Sequence, residues 1–425
     1  KKILILLFLN FLISTKIYGS IILDYETEEF LKKINNLILS VNDYKDNIEF
    51  KIIFDEDINA FVNQNNEIFI SSGLIKNSTS YIALLGVLSH EIGHIEKYHI
   101  SKTKKSLNNL QSLQALSTIS IIAGSIISQN PAAIQGLALN QYGIHKYYLG
   151  FSKDQEREAD HYAIETLNKL NLPPDSLIKL LQLLEIEQLK HGSEDVFKKF
   201  STHPVYKERY DIINKRKNVI NNNFDAQLEE EFNFIKAKFI GYSNNDDLEI
   251  NTLLPKKYTN YSKAILYARK GDLSKSLKYL NSFINNNKEN YFLYETKADI
   301  LMSYGYSKEA IKFYKKTLTK FPKNNYARLA IFNNTNFESF SKENKKQSFD
   351  ENLELLFKFP YSEILYLKFY KLSLDLEKKN WTIFLNLYKN KKNMDKVEYI
   401  KKINSIIEKV NDKDLYKLLN IHLDL

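Results

Sequence analysis

The sequence has no cysteine in its 425 residues, which excludes disulfides and a lipid-modified cysteine near the N-terminus. It contains no nucleic-acid-binding motif, and after residue 19 no apolar run resembles a membrane span. Neither sign of charge dominates, because 60 lysines and arginines accompany 51 acids and give a formal charge of +9. With 44% hydrophobic residues, a chain of this length can bury more than one core, so two domains are expected.

The first 19 residues have the pattern of a secretory signal peptide. Lys1 and Lys2 precede an apolar run at residues 3–13, and a small residue stands before Ser20, near which the mature chain would begin. The alternative is a membrane anchor, but this run is short of the ~20 apolar residues that a spanning helix needs. Removing the segment deletes three lysines and no acids, so the charge falls from +9 to +6. The pattern predicts an exported protein that is soluble or peripheral to a membrane.

Residues 80–100 organise the rest of the chain, because an amphipathic helical pattern there carries the motif HExxH. His90 and His94 lie one helical turn apart, so they can present two imidazole nitrogens to one metal ion while Glu91 stands beside it as a base. An apolar stripe would bury this helix, and Gly93 would allow the close approach of a neighbour. The motif predicts a zinc peptidase, with a structural histidine pair as the alternative.

A zinc site of this kind needs a third ligand, and few positions can supply it. Lys97 and Ile100 occupy the positions at which metzincins place a glycine and a third histidine. A glutamate from a later helix is the other arrangement, but no acid occurs between Glu96 and Asp154. The candidates are therefore confined to the acidic segment that begins near Asp154.

Residues 152–167, SKDQEREADHYAIETL, form that acidic segment. Glu156 and Asp160 share one face of a predicted helix, whereas Glu158 projects away toward solvent. One of the two carboxylates can bind zinc while the other accepts the second ring N–H of a ligand histidine, and the spacing leaves open which does which. The alternative is a salt-bridged surface helix.

The segments HEIGH and SKDQEREAD, preceded by NAFVNQNNEIFISSGLI, resemble a family of zinc peptidases. This family includes the CAAX prenyl proteases, the HtpX membrane proteases and the periplasmic β-barrel-assembly-enhancing proteases. The resemblance covers about residues 55–211, and Lys153 stands where the family often has arginine. It implies one zinc ion per chain, with Glu156 as the third ligand and Asp160 as the aspartate of an ExxxD motif.

Two further features lie around the motif helix. Alternating hydrophobicity predicts strands at residues 48–54 and 67–71, and the second leads into the motif helix, which places a sheet edge beside the metal. That edge could bind an extended peptide or belong to a structural hairpin. Residues 107–149 are apolar and free of acids, and the part at 117–139 could cover the active-site cleft or contact a membrane.

His203 precedes Pro204 and is therefore expected in extended backbone. From there it could reach the metal or steady the oxyanion of the tetrahedral intermediate. The same THP element occurs in the resembling periplasmic proteases, so His203 is a candidate catalytic residue, with a surface loop histidine as the alternative. The remaining histidines lack partners by spacing and are predicted to be structural: His99, His145, His161, His191 and His422.

The polar, proline-containing segment 243–260 predicts a linker between a catalytic domain at 20–242 and a second domain at 261–425. In the second domain, several small and apolar residues recur after 34 residues: Ala264, Tyr267, Gly271 and Leu280 return as Ala298, Leu301, Gly305 and Tyr314. That period is typical of tetratricopeptide repeats, and a plain helical bundle is the alternative. The predicted fold is mainly α, with an α+β catalytic domain whose small sheet lies beside the zinc helix, followed by an α-solenoid.

Together these patterns predict a zinc endopeptidase in which Glu91 acts as the base and the repeats recruit unfolded or misassembled proteins or dock onto an assembly machine. The resemblance is greatest to the β-barrel-assembly-enhancing members, which implies a periplasmic role in the quality control of outer-membrane β-barrel proteins. The alternative is a chaperone or scaffold with a latent zinc site. The intact motifs argue against it, because a scaffold has no need of Glu91.

Overall fold

The computed structural model describes residues 20–44, 48–63, 65–97, 121–122, 153–190, 207–216 and 223–424. Within these ranges the chain forms 18 α-helices, one short 3-10 helix at Lys391–Asn393 and one five-stranded sheet. The predicted mainly α fold is confirmed. The predicted signal peptide, His203 and, apart from two residues, the apolar segment 117–139 lie outside the described residues.

The strands belong to a single mixed sheet. They are β1 Ser20–Leu23, β2 Glu49–Phe54, β3 Ala60–Val62, β4 Glu67–Ser71 and β5 Ile121–Ile122. Their order is β3-β4-β2-β1-β5; β2 and β4 run parallel with Ile52 opposite Ile70, and β3 pairs antiparallel with β4. The predicted strands β2 and β4 are present, but β4 lies inside the sheet and does not form its edge. The strand at the sheet edge on this side is β3, which the sequence analysis did not predict.

Seven helices accompany the sheet. They are α1 Tyr25–Ser40, α2 Ser72–Asn77, α3 Tyr81–Glu96, α4 Lys153–Lys169, α5 Asp175–Lys190, α6 Lys207–Arg216 and α7 Ala226–Ser243. The short helix α2 separates β4 from the motif helix α3, so the predicted direct passage from strand to motif helix is wrong. Asp24 caps α1 by accepting the backbone N–H of Thr27 at 2.8 Å.

The motif helix α3 is buried on nearly all sides. Its predicted apolar stripe lies in the core: Leu84, Leu85, Leu88, Ile92 and Ile95. The hydroxyl of Ser80 caps the helix by accepting the N–H of Ile82. A Cβ atom at Gly93 would lie 3.1 Å from the backbone of Ala159 in α4, tighter than an ordinary contact, so glycine favours the close packing of α3 against α4. This packing is what brings the two sequence motifs together.

The second half of the chain is helical throughout. It contains α8 Asp247–Leu253, α9 Lys256–Arg269, α10 Leu273–Asn286, α11 Phe292–Ser303, α12 Ser307–Lys320, α13 Asn325–Asn334, α14 Lys342–Lys358, α15 Glu363–Asp375, α16 Lys379–Lys389, α17 Lys396–Ile407 and α18 Lys413–Asp424. The hairpins α9–α10 and α11–α12 recur after 34 residues, and their turns place Gly271 and Gly305 at φ +85° and +84°. Glycine adopts this left-handed conformation without steric cost, which explains the spacing of the two glycines.

Segment 243–260, the predicted linker, holds α8 and the first turn of α9. Helix α7, which precedes it, contributes to two hydrophobic cores. Phe232 and Ile235 pack with the sheet and motif helix, whereas Phe234 and Ile240 pack with α9 and α10. The half that contains the sheet and the half that is helical throughout are therefore joined by a shared, buried helix.

A buried charge cluster lies where the two halves meet. Lys238 of α7 is only 5% exposed, and its Nζ lies 2.7 Å from Asp24 Oδ2 and 2.6 Å from Glu26 Oε2 at the start of α1. Helix α11 adds two carboxyl groups. Asp299 accepts the hydroxyl of Tyr314 at 2.6 Å, and Glu295 accepts the side-chain N–H of Asn324 at 2.8 Å. The cluster thus holds four carboxyl groups and one lysine.

This cluster predicts a stability that falls as the pH rises. Burial raises the pKa of Asp299 and Glu295 above their ordinary values, and the attraction of Lys238 does not offset it. A raised carboxyl pKa means that the folded chain holds protons that the unfolded chain has lost, so stability is lost as the pH rises from 5 to 8.5. Asp299→Asn should remove part of this loss and stabilise the protein at pH 8.5 by about 2 kcal/mol.

Chemical unfolding of native and variant protein at both pH values measures this effect. Glu309→Gln, at an exposed position of α12, is the control and should leave the pH dependence unchanged. The interpretation is wrong if Asp299→Asn shows the same loss of stability between pH 5 and 8.5 as the native chain.

Candidate metal centre

Three side chains from the two motif helices converge on one point. His90 Nε2 lies 3.1 Å from His94 Nε2 and 3.4 Å from Glu156 Oε2, and His94 Nε2 lies 3.5 Å from Glu156 Oε1. The three residues are between 0% and 5% exposed. Helix α3 supplies the histidines at i and i+4, and α4 packs across it with Glu156 in its first turn.

These atoms fit a bound cation. Two buried imidazole nitrogens and a carboxylate face one another. If each histidine donates its N–H elsewhere, all three groups present lone pairs to one point, which is what a cation binds. A tetrahedral zinc ion with bonds of ~2.0–2.1 Å separates its ligand atoms by about 3.3 Å, close to the distances found here. Two histidines and one glutamate are also a donor set that leaves a coordination position open, as catalytic zinc sites do. The site therefore suits zinc.

Asp160, one turn after Glu156, orients the first histidine. Its Oδ1 lies 2.9 Å from His90 Nδ1, so that nitrogen donates to the carboxylate and Nε2 is left to face the metal position. Burial alone would raise the pKa of Asp160, but Arg209 and the hydrogen bond from His90 outweigh it and lower the pKa to about 2. The carboxylate is therefore charged and holds His90 in one tautomer.

Residues 25–217 match the sequence model of peptidase family M48. The match covers 193 of the 425 residues, so the chain is similar to this family over that part. The chain is similar to the β-barrel assembly-enhancing protease of Yersinia pestis, at 24% identity over 229 residues that cover 54% of this chain and 46% of the relative. It is also similar to the protein of that name from Escherichia coli K12, at 22% identity over 285 residues, covering 65% of this chain and 58% of the relative. The metalloprotease LoiP of the same strain is 27% identical over 169 residues, 40% of this chain and 62% of its own length.

The chain spans about half the length of the β-barrel assembly-enhancing proteases that it matches. The M48 match includes α3, α4 and α6, which together form the metal centre. In the part of the chain that the structure describes, no helix is both long and apolar enough to cross a bilayer.

The structure adds one residue to the metal centre that sequence reasoning missed. Arg209 of α6 donates from Nε to Asp160 Oδ2 at 2.8 Å and from Nη2 to Oδ1 at 2.7 Å, and its Nη1 lies 3.5 Å from Glu156 Oε2. This buried guanidinium places a positive charge beside two carboxylates in a low-dielectric environment. Without it, the metal ion would be the only countercharge for both. A signal was available, because Arg209 stands four residues before the buried Ile213, on the face of α6 that points inward.

Glu91, the predicted base, is 1% exposed and borders the same pocket as His90, Asp160 and Arg209. The structure therefore places it next to the ligand cluster, where the spacing of HExxH predicts it. Glu158 is exposed, as predicted.

The histidines outside the metal centre were predicted to be structural, apart from His203. Positions 99, 145, 191 and 203 lie outside the described residues, so the proposed role of His203 stays a prediction. His422 of α18 is buried in the helical core, with Nε2 2.8 Å from the hydroxyl of Tyr366. Burial lowers its pKa to about 3, so it is a neutral packing residue. The prediction that His422 is structural is confirmed, although its partner Tyr366 is 56 residues away and could not be found from spacing.

Proposed function

We propose that this chain is a zinc-dependent endopeptidase. The observation that carries the proposal is the convergence of His90, His94 and Glu156 within hydrogen-bonding range of one another, with Glu91 beside them in a pocket that also contains Arg209. Similarity to family M48 over residues 25–217 supports the same chemistry.

Zinc bound at this site would act as a Lewis acid that polarises a peptide carbonyl and makes water a better nucleophile. Glu91 takes one proton from the attacking water and passes it to the nitrogen of the scissile bond, so that one amide and one water become a carboxylic acid and an amine; the acid then ionises at neutral pH. Asp160 keeps the Nδ1 proton of His90 in place throughout. Arg209 holds Asp160 and Glu156 in their ionised forms, which preserves the ligand geometry between turnovers.

The edge strand β3 is proposed to bind the substrate backbone. It packs beside α3, and Ala60 at its start lines the pocket that contains Glu91. Within the described residues β3 pairs only with β4, so its other edge can add an extended peptide by main-chain hydrogen bonds. Such an arrangement holds the scissile carbonyl in line with the metal position.

We further propose that the enzyme is exported to the periplasm and acts on unfolded or misassembled envelope proteins, including outer-membrane β-barrel proteins. The leader-like pattern of residues 1–19 and the similarity to β-barrel assembly-enhancing proteases support this assignment. The helical half, which shares α7 with the catalytic half, would recruit these substrates or dock the enzyme onto the assembly machinery.

Metal removal tests the proposal directly. The purified chain should contain about one zinc ion and cleave an unfolded substrate such as casein. A strong chelator should abolish the cleavage, and stoichiometric zinc should restore it while magnesium does not. Zinc binding without any cleavage would instead favour the alternative, a chaperone or scaffold with a latent site, and absence of zinc binding would refute the ligand assignment.

A further inference from the structure

A cleft of about 750 Å³ lies between the sheet and the half of the chain that is helical throughout. On the sheet side it is lined by β1, by the start of β2 and by α1. On the helical side it is lined by α13, by the end of α14 with the turn that follows, and by α18. It shares no lining residue with the pocket that contains Glu91. Its volume is within the range of ~300–1,000 Å³ that is usual for ligand-binding clefts, and the peptidase mechanism uses none of its residues.

The start of β2 presents main chain to this cleft. Strand β1 pairs with β2 only as far as Ile22 opposite Ile52, because the chain turns at Asp24 into α1. Within the described ranges, residues 49–51 therefore have a strand partner only on the β4 side, and all three line the cleft. An extended peptide can pair with such an edge through main-chain hydrogen bonds and add to it as a short strand.

Asn35 of α1 adds a second hydrogen-bonding group to the cleft. It is 7% exposed, and in the described part of the chain its Oδ1 has no hydrogen-bond partner. A buried amide without a partner costs stability, so a ligand that supplies the partner would account for an asparagine at this position. A side-chain amide carries one acceptor oxygen and donor N–H groups, which match the N–H and C=O of a peptide main chain.

The remaining lining suits uncharged side chains. The charged side chains in it each have a neighbour of opposite charge: Lys32 has Glu29, Lys51 has Glu49, and Glu28 has Lys358. Partly exposed aromatic rings supply much of the other surface, with Phe50 on the sheet side and Phe357 and Tyr361 on the helical side. Aromatic rings give apolar side chains a large contact area. Charge complementarity therefore favours a neutral, apolar segment over an acidic or basic one.

We propose that this cleft binds an extended, uncharged polypeptide segment with alternating apolar side chains, at a site separate from the metal centre. The segment pairs its main chain with the free edge of β2 and with the amide of Asn35. Its alternate side chains contact the aromatic rings, because successive residues of a strand point to opposite sides. Folded sheet proteins hide such segments in their own ladders and cores, so the cleft selects unfolded chains. The binding requires no peptidase chemistry.

Binding is measured on the full chain carrying Glu91→Gln, so that a bound peptide is not cut. The probe is a fluorescent peptide of about seven residues, ~23 Å long when extended, that alternates valine or phenylalanine with threonine. Fluorescence anisotropy should give a Kd below about 100 μM. Replacing the threonines with aspartate or with lysine should weaken binding at least about tenfold. N-methylation of one alternate set of main-chain nitrogens should have an effect of the same size, because it removes the donors that face β2.

Asn35→Leu separates a binding role from a structural one. Leucine has a similar size and no polar group, so it should weaken peptide binding at least about tenfold while the midpoint of chemical unfolding stays the same or rises. Phe357→Ser, on the helical side of the cleft, should weaken binding at least about fivefold. Asn285→Leu makes the same change as Asn35→Leu at an exposed position of α10 outside the cleft, and should leave the affinity unchanged.

Three results would overturn the proposal. The first is no peptide binding at concentrations up to about 1 mM. The second is equal binding of the neutral, charged and N-methylated peptides, and the third is native affinity in both Asn35→Leu and Phe357→Ser. If one of these variants does not fold, the other decides. Cleavage of casein by the native chain tests the proposed function separately, so a cleft that binds no peptide leaves the peptidase assignment standing.

Discussion

Replacing Lys238 with methionine should lower the free energy of unfolding by about 3–5 kcal/mol, the largest loss expected from a single substitution outside the metal centre. The lysine is buried between α1 and α7 and lies within 2.7 Å of both Asp24 and Glu26. Methionine fills a similar volume but leaves these two carboxylates without a countercharge. Two unpaired carboxyl groups in the interior must then become protonated or draw in water, and either response loosens the contact between the two halves of the chain.

Chemical unfolding of the variant at neutral pH measures the loss. The triple variant Lys238→Met, Asp24→Asn, Glu26→Gln should recover most of it, because a neutral cluster of similar shape has no uncompensated charge and asparagine can still cap α1. Lys257→Met, which removes one partner of a surface ion pair with Glu230, is the control and should cost less than about 1 kcal/mol. If Lys238→Met is as mild as this control, the cluster is not what holds the two halves together.

The sequence could not reveal this cluster. A lysine at position 238 looks like a solvent-facing residue within an apolar helix, and its partner Asp24 lies 214 residues away. The sequence did show that α7 has apolar residues on several of its faces, at Phe232, Phe234 and Ile240. A helix that is apolar all round is buried on more than one side. That pattern was a sign that α7 would contact elements on both sides of the predicted boundary at 243–260.

The metal centre was more predictable than its surroundings for a physical reason. Ligands at i and i+4 of one helix have a fixed geometry, so His90, His94 and the neighbouring Glu91 follow from spacing alone. The ExxxD helix could be found because acids are absent from residues 97–153. Arg209 has only the weaker signal of its four-residue spacing to the apolar Ile213, and strand β3 has no local signal. Strand β3 is only three residues long and shows no alternation, and its position at the sheet edge depends on pairing with β4.

Glu91→Gln should reduce peptide cleavage by at least about 100-fold while leaving zinc bound. Glutamine has the size of glutamate and none of its basicity, so it cannot take a proton from water or return one to the leaving amine. The three ligands are untouched, and Arg209 keeps its two hydrogen bonds to Asp160, so the geometry that binds the metal persists. Zinc content, measured beside the cleavage rate, separates a lost base from a lost metal.

Two further variants make this separation sharp. His94→Ala removes a ligand and should lose both zinc and activity, whereas Glu158→Gln changes an exposed acid of the same motif helix as Glu156 and should lose neither. Only Glu91→Gln is expected to retain zinc and be inactive. A Glu91→Gln protein that still cleaves at close to the native rate would show that another group moves the proton. Because Arg209 is paired with the carboxylates, the search would then turn to His203, which follows α5 and precedes α6 in the chain.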